Sequence, residues 1–260
     1  MSDPENTSAS APDSDEASVD LVGRFEMLAA RRSVGVDKDL MPEQLCRAVV
    51  DVLGVDGAAI SVYLGGDVAV PVGANDLDAS LGEALQFTVR EGPCFESYGT
   101  KQPVLIPNLR DPGSSAWTRW PTYAAQLTQH TPFQGVFAYP LLDGDIVLGS
   151  LSLYRRQSGR PANLGSAGII ADRIADRLSA ELFTGPKGEP AQRWLDSPAA
   201  LRRRVVWQAQ GLTAQANRIT PGQAIDLLRA QAFSADRLID DVAEDIMSGT
   251  LPVPDLPSDQ

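Results

Sequence analysis

The fold of the C-terminal quarter is decided by the stretch SPAALRRRVVWQAQGLTAQANRITPGQAIDLLRAQAFSADRLIDDVAEDIMSG, residues 197–249. Two helix starts stand out in it. Ser197 precedes Pro198, which suits an N-cap followed by a proline at the first helical position. Thr220 is followed three positions later by Gln223, the spacing of a capping box. The stretch therefore predicts at least two helices with well-defined starts.

Apolar periodicity extends this prediction to three helices. The first helix has apolar residues at three- and four-residue steps, which predicts a stripe of Leu201, Val205, Ala209, Leu212 and Ala216. The second is expected to turn inward Ala224, Leu227, Leu228 and Gln231. A third is predicted to begin at Ser234 and to bury Leu238, Val242, Ala243 and Ile246. Narrow stripes with small residues favour a compact three-helix bundle over residues 196–250.

Three motifs of this segment match a known family in order. They are QAQGL (208–212), AIDLLR (224–229) and DDVAEDI (240–246). The segment resembles an ANTAR domain, a three-helix RNA-binding module of bacterial transcription antitermination regulators. The resemblance implies that the bundle binds a hairpin in a nascent transcript. This chain departs from the family at Gln210, where a basic residue is usual.

The charge balance restricts where RNA could bind. The chain has 34 acidic and 22 basic residues and a net charge of −12, so only a local basic patch could hold phosphates. The predicted RNA contacts are Arg202, Arg203, Arg204, Arg229 and Arg237. The alternative is an ordinary solvated charged face. The last helix is acidic through Asp240, Asp241, Glu244 and Asp245, and RNA binding requires these to face away.

The preceding region, residues 18–183, has mixed periodicity. Short β-type runs at 57–64 and 67–74, and again at 135–142 and 146–154, predict two hairpins. Helices are predicted near residues 19–29, 42–53, 76–90, 117–129 and 167–183. EGPCFESYGT (91–100) is predicted to be a turn-rich loop, and PVLIP (103–107) an edge strand. Hairpin-connected strands predict an α+β domain, an antiparallel sheet with helices packed on one side.

The motifs EGPCFES (91–97) and G-x-x-QPVLIPNL (99–109) resemble those of a GAF domain. That resemblance implies a small-molecule sensor or a dimerisation module. We expect the following domain organisation: a disordered tail (1–17), a GAF-like domain (18–183), a linker (184–195), an ANTAR domain (196–250) and a second tail (251–260).

A ligand pocket in the GAF-like domain is predicted from one thiol and a concentration of aromatic residues: Cys94, Trp117, Trp120, Phe133 and Phe137. The aromatic residues could equally be core. Cys94 is either a reactive thiol or a small half-buried apolar residue. A thiol-dependent GAF enzyme would need a second cysteine nearby, and Cys46 is poorly placed for that. We therefore expect no enzyme activity.

Metal and cofactor chemistry is not expected. His130 is the only histidine, and Cys46 and Cys94 are the only cysteines, which is too few for a metal or haem site. Two distant cysteines do not form a disulfide framework and suit a reducing compartment. No signal peptide or transmembrane segment is recognisable, so a cytoplasmic protein without a membrane partner is expected.

A homodimer is expected from the helix at 167–183. Its apolar residues Ile170, Ile174, Leu178 and Leu182 follow four-residue steps, and this stripe could be a dimer seam or could lie on its own sheet. Three functions remain open. The first is a signal-responsive RNA-binding regulator that acts by transcription antitermination. The others are a sensor or interaction protein whose bundle does not bind RNA, and a thiol-dependent enzyme.

Overall fold

The computed structural model describes residues 14–35, 40–64, 68–183 and 193–255. Residues 1–13 of the predicted disordered tail (1–17) lie outside the described residues. Residues 14–17 belong to the first helix, contrary to the prediction of disorder. The predicted linker lies outside them over residues 184–192. Its last residues form a short 3-10 turn, Arg193–Asp196.

The described residues contain one five-stranded sheet whose neighbouring strands are all antiparallel. Its order is β2-β1-β5-β4-β3. The strands are β1 Gly57–Tyr63, β2 Ala69–Ala74, β3 Val104–Ile106, β4 Gly135–Asp143 and β5 Ile146–Arg155. The two predicted hairpins and the edge position of the PVLIP strand are confirmed. The antiparallel α+β class is therefore correct.

Helices cover both faces of this sheet, whereas the sequence led us to expect one covered face. One face packs on α1 Ser14–Ser33, α2 Met41–Leu53 and α7 Ala167–Phe183. The other packs on α3 Leu77–Val89, α4 Pro93–Thr100, α5 Ala116–Arg119 and α6 Pro121–His130. Because both faces are buried, β1 is buried at every position instead of alternating.

The segment predicted as a turn-rich loop is mostly helical. Pro93–Thr100 forms α4, with Pro93 in its first turn. Gly92 precedes it at φ 138°, a conformation that glycine adopts readily. The glycine and proline that indicated a loop instead mark the start of a helix.

The regular stripe on α7 is used inside the chain. Ile170, Ile174 and Leu178 are at most 1 % exposed and pack in the core that α7 forms with the sheet. The prediction that this stripe is a dimer seam is therefore wrong over these three residues.

The C-terminal segment forms three helices, α8 Pro198–Asn217, α9 Pro221–Ser234 and α10 Ile239–Met247. The Ser197 cap is present, and the Thr220–Gln223 capping box is complete. The third helix begins at Ile239, because Ser234 ends α9 and Asp236 turns the chain at φ 51°.

The buried face of α8 differs from the predicted stripe. Leu201 and Leu212 are 43 % and 40 % exposed, so they lie outside the core. The buried residues are Ala200, Arg203, Val206, Ala209 and Thr213. This face contains an arginine, which explains why an apolar pattern missed it. In the predicted C-terminal tail, Leu251 and Val253 pack on the bundle.

The bundle is docked on the sheet domain. One buried cluster contains Tyr63, Ala69 and Phe87 from the sheet domain together with Val206, Leu228, Ile239 and neighbouring residues of the bundle. The backbone N–H of Ile239 donates to Thr88 Oγ1 at 3.2 Å. The two parts therefore share a core.

Candidate functional site

The centre of the docking interface is Arg203 of α8, whose side chain is 1 % exposed. Its guanidinium carbon lies 3.3 Å from the centroid of the Phe87 ring, at the C-terminal end of α3. Arg203 Nη2 lies 3.5 Å from Asp240 Oδ2 of α10. We call Arg203, Phe87 and Asp240 the latch, because together they join both parts of the chain.

The latch holds a charge that is incompletely compensated. Burial lowers the pKa of Arg203 to about 10, and the carboxylate of Asp240 opposes that shift. Arg203 Nε and Nη1 have no hydrogen-bond partner among the described residues. A buried cation with unmade hydrogen bonds is costly. The docked arrangement is therefore held by packing and by one carboxylate, against a desolvation penalty.

The other predicted RNA contacts are each paired with a carboxylate. Arg202 contacts Asp241 at 2.7 Å and Glu244 at 2.8 Å. Arg204 contacts Asp196 at 2.7 Å. Arg229 contacts Asp226 at 3.3 Å, and Arg237 contacts Asp245 at 2.8 Å. The acidic residues of α10 thus face arginines, contrary to the arrangement that RNA binding requires.

Exposure separates these arginines into two groups. The side chains of Arg202, Arg204 and Arg237 are 48 %, 49 % and 36 % exposed. Arg203 is buried, and the Arg229 side chain is 13 % exposed, near Phe87. Three arginines reach solvent, therefore, and two face the sheet domain. In the docked arrangement the five do not form one surface.

A buried polar cluster lies one helical turn from the latch, around Glu83 of α3. Its carboxyl group accepts hydrogen bonds from Ser61 Oγ at 2.7 Å, from Tyr154 Oη at 2.7 Å and from Gln86 Nε2 at 3.0 Å. Ser152 Oγ also donates to it. Glu83 is 6 % exposed, so it is an interior group held by the sheet and its own helix.

The sequence did not single out Glu83 or Phe87, and Asp240 was considered only as part of an acidic helix that should face away from RNA. The available signal was the pair Glu83 and Gln86, polar residues three positions apart on a helix whose neighbouring positions are apolar. No comparable local signal existed for the latch, because its members lie on three helices.

The predicted ligand residues are divided between the two faces of the sheet. Cys94, Trp120, Phe133 and the half-buried Trp117 lie on the face with Glu83, whereas Phe137 belongs to the opposite core. Phe133 stacks on Tyr154 at a centroid distance of 4.7 Å, and Trp117 Nε1 donates to the carbonyl of Leu109. These contacts are those of core residues. The convergence of all five on one pocket is not observed.

Glu83 lines two cavities, a groove of about 470 Å³ that it shares with residues of α2, β2 and α8, and a much smaller cavity. A cavity of about 10 Å³ lies among Ser61, Glu83, Gln86, Cys94 and Arg203. That volume is of the order needed by one water molecule. A larger ligand could enter this smaller cavity only if the latch or the surrounding side chains moved.

The two thiols are unsuited to paired redox chemistry. Burial raises the pKa of the Cys94 thiol, and the nearby Glu83 raises it further. Burial also raises the pKa of Cys46, which lies in the opposite core. Both thiols are free. The geometry therefore lacks the adjacent cysteine that the thiol-dependent enzyme requires.

We expect neither thiol of the native protein to react with iodoacetamide within minutes at about pH 8, because the thiolate is the nucleophile and burial disfavours it. Mass spectrometry of the quenched protein measures the alkylation. The same protein unfolded in guanidinium chloride is the positive control, and both thiols should then react. Fast alkylation of Cys94 in the native protein would contradict this expectation.

Neither a metal site nor a membrane span is found in the described part of the chain. No group of three or more His, Cys, Asp or Glu residues there has metal-site geometry. None of the helices it contains is long and apolar enough to cross a membrane.

The model of the GAF domain family matches residues 43–178, slightly more than half of the chain. No curated protein matches the sequence. Among solved structures, the GAF domain of a phosphoenolpyruvate-protein phosphotransferase from Coxiella burnetii has a TM-score of 0.48 and 12% identity, covering 63% of this chain and 95% of that chain. The corresponding domain from Acinetobacter has a TM-score of 0.44 and 12% identity, with coverages of 63% and 93%.

Free methionine-R-sulfoxide reductase from Neisseria meningitidis, in complex with its substrate, has a TM-score of 0.44 and 13% identity, covering 66% of this chain and 93% of that chain. At such identities and TM-scores, these similarities carry no information about activity.

Proposed function

This chain belongs to the GAF domain family, and from that membership we propose that it is a signal-responsive cytoplasmic regulator. The GAF domain senses a small molecule or a protein partner, and the C-terminal bundle delivers the response. The observation that carries this proposal is the latch, in which Arg203 of the bundle is buried on Phe87 of the GAF domain. The protein is proposed to be a regulator without enzyme activity or cofactor.

Helix α3 offers a route from the interior of the GAF domain to the bundle. Glu83 and Phe87 are four residues apart and thus one turn apart on this helix. A ligand or partner that changes the hydrogen bonds of Glu83 would displace α3 and move Phe87 under Arg203. The signal would thereby change the stability of the docked bundle. Cys94, Trp117, Trp120 and Phe133 remain the predicted surroundings of a ligand in that interior.

We propose that the output is transcription antitermination, which results when the bundle binds an RNA hairpin in a nascent transcript. It rests on the resemblance of the bundle to ANTAR domains. Arg202, Arg204 and Arg237 are partly exposed, and exposed ion pairs contribute only about 0–1 kcal/mol each, so phosphates can replace their carboxylate partners. Arg203 and Arg229 would join them after the bundle leaves the GAF domain. The docked arrangement is then the weak-binding state.

A second candidate is a sensor or interaction protein whose bundle does not bind RNA. It is favoured by the carboxylate partner found for each of the five arginines. In either case we propose a homodimer. Because the apolar stripe of α7 packs on its own sheet, the dimer contact would lie elsewhere, for example at the exposed Val19 and Met27 of α1.

The full chain is expected to bind structured RNA hairpins at low salt, and the variant Arg202→Gln/Arg204→Gln/Arg237→Gln to bind more weakly. Losing three phosphate contacts should reduce the slope of log K against log salt by about 2 to 3, measured by fluorescence anisotropy between about 50 and 200 mM salt.

The matched control is Arg110→Gln/Arg156→Gln/Arg160→Gln, which removes three exposed arginines of the GAF domain. The control variant should retain the wild-type slope. Absence of RNA binding by the wild type at low salt, or identical slopes for wild type and bundle variant, would favour the second candidate.

A further inference from the structure

Another cavity lies between the GAF domain and the bundle, and Phe87 forms part of its wall too. Its volume is about 210 Å³. The GAF domain contributes Phe87 and Arg90 to its wall, and the bundle contributes Trp207, Gln210, Gly222, Asp226 and Arg229. Both parts of the chain therefore build it, and it exists only while the bundle is docked.

The surroundings of this cavity are positively charged in a chain whose net charge is −12. The guanidinium carbons of Arg203 and Arg229 lie 3.3 and 5.4 Å from the centroid of Phe87. Burial lowers the pKa of Arg229, and the positive charge of Arg90 lowers it further. Arg90 and Arg229 therefore repel each other across the interface.

The carboxylates that contact Arg203 and Arg229 offset the charges of these two arginines only in part. Asp226 contacts Arg229 at 3.3 Å, but its own side chain is 65 % exposed, so solvent weakens its effect. Asp240 lies with Arg203 in the latch. Arg229 Nε is buried and has no hydrogen-bond partner among the described residues. An anion in the cavity would supply the acceptor that Arg229 Nε lacks.

The groups that line the cavity and its volume indicate which kind of anion it can bind. One arginine from each part of the chain lines the cavity, and this suits a phosphate group, whose several oxygens can accept hydrogen bonds from both. The first turn of α9 adds the positive end of a helix dipole, and Gly222 leaves its backbone accessible there. Trp207 provides a flat apolar wall. The volume lies below the range of about 300–1,000 Å³ typical for drug-sized ligands.

We propose that this cavity binds a small phosphate monoester, with the phosphate between Arg90 and Arg229 and the organic group against Trp207. Such a ligand contacts both the GAF domain and the bundle, so it binds the docked arrangement and stabilises it. This proposal stands apart from the RNA output. If the RNA proposal also holds, the ligand acts as a brake on RNA binding.

Isothermal titration calorimetry of the full chain tests the proposal, with phenyl phosphate and inorganic phosphate as probes and no RNA present. Wild type should bind phenyl phosphate more tightly than inorganic phosphate. Arg90→Asn/Arg229→Gln should weaken both probes by about tenfold or more, since hydrogen bonds to charged groups are lost. Asparagine is chosen because Arg90 has φ 56°, a conformation that asparagine tolerates. Trp207→Ala should weaken phenyl phosphate alone.

The control for total charge is Arg110→Gln/Arg156→Gln, which should bind both probes as wild type does. Circular dichroism melting shows that each variant is folded before titration. The proposal is overturned if wild type does not bind phenyl phosphate at millimolar concentration, or if the Arg90/Arg229 variant binds it unchanged. Equal affinity of wild type for both probes would overturn the assignment of a monoester.

Discussion

Glu83→Ala is expected to lower the free energy of unfolding of the GAF domain by about 4 kcal/mol. Its carboxyl group accepts hydrogen bonds from Ser61, Gln86, Ser152 and Tyr154. Each buried donor left without an acceptor costs about 1–3 kcal/mol, and several would be left at once. Urea unfolding followed by tryptophan fluorescence measures the loss.

Two controls separate the hydrogen bonds from the volume of the side chain. Glu83→Gln keeps one acceptor oxygen and the shape of the side chain, so it should cost less than half as much. Asp78→Ala removes an exposed carboxylate from the same helix and should change stability by less than about 1 kcal/mol. A loss below about 1 kcal/mol for Glu83→Ala would show that the cluster is not a buried hydrogen-bond network.

Asp240→Leu is expected to destabilise the docked bundle by about 3–5 kcal/mol, because it leaves the buried charge of Arg203 without its carboxylate. The bundle can relieve this penalty by leaving the GAF domain. Hydrogen exchange should therefore accelerate at the backbone N–H of Ile239, which donates to Thr88 in the docked arrangement. If the RNA proposal holds, this variant also binds RNA more tightly than wild type.

A double-mutant cycle gives this prediction its control. Arg203→Met alone leaves Asp240 buried and unpaired and should also destabilise docking. The double variant Arg203→Met/Asp240→Leu removes both charges and should recover most of the protection at Ile239, since buried ion pairs are often replaceable by apolar residues. Strictly additive losses in the double variant would contradict the coupling that the latch requires.

The sequence predicted the elements well where their signals are local. The Thr220 capping box and both hairpins depend on residues a few positions apart, and all are present. The helix at 167–183 was predicted with its observed limits. The start of the third bundle helix was predicted incorrectly. The chain turns at Asp236 in a left-handed conformation, and the usual sequence signal for that conformation, a glycine, is absent at this position.

Features that depend on distant contacts were not predictable. Arg203 was expected on a solvent-facing surface, since an arginine is rarely buried unless it finds partners. Its partners Phe87 and Asp240 are 116 and 37 positions away in the chain. Phe137 was grouped with the other aromatic residues by proximity in sequence, but strand alternation turned it to the opposite core. Spacing identified candidate residues without identifying their neighbours.

The apolar cluster that Tyr63, Ala69 and Phe87 share with the bundle buries side chains of both regions together. In a fragment that ends at the boundary predicted from the sequence, near residue 190, these side chains would form an exposed apolar patch that favours aggregation. Recombinant GAF fragments of this chain would consequently aggregate, and isolated bundles would lack part of their core. Quantitative work on sensing therefore belongs to the intact polypeptide.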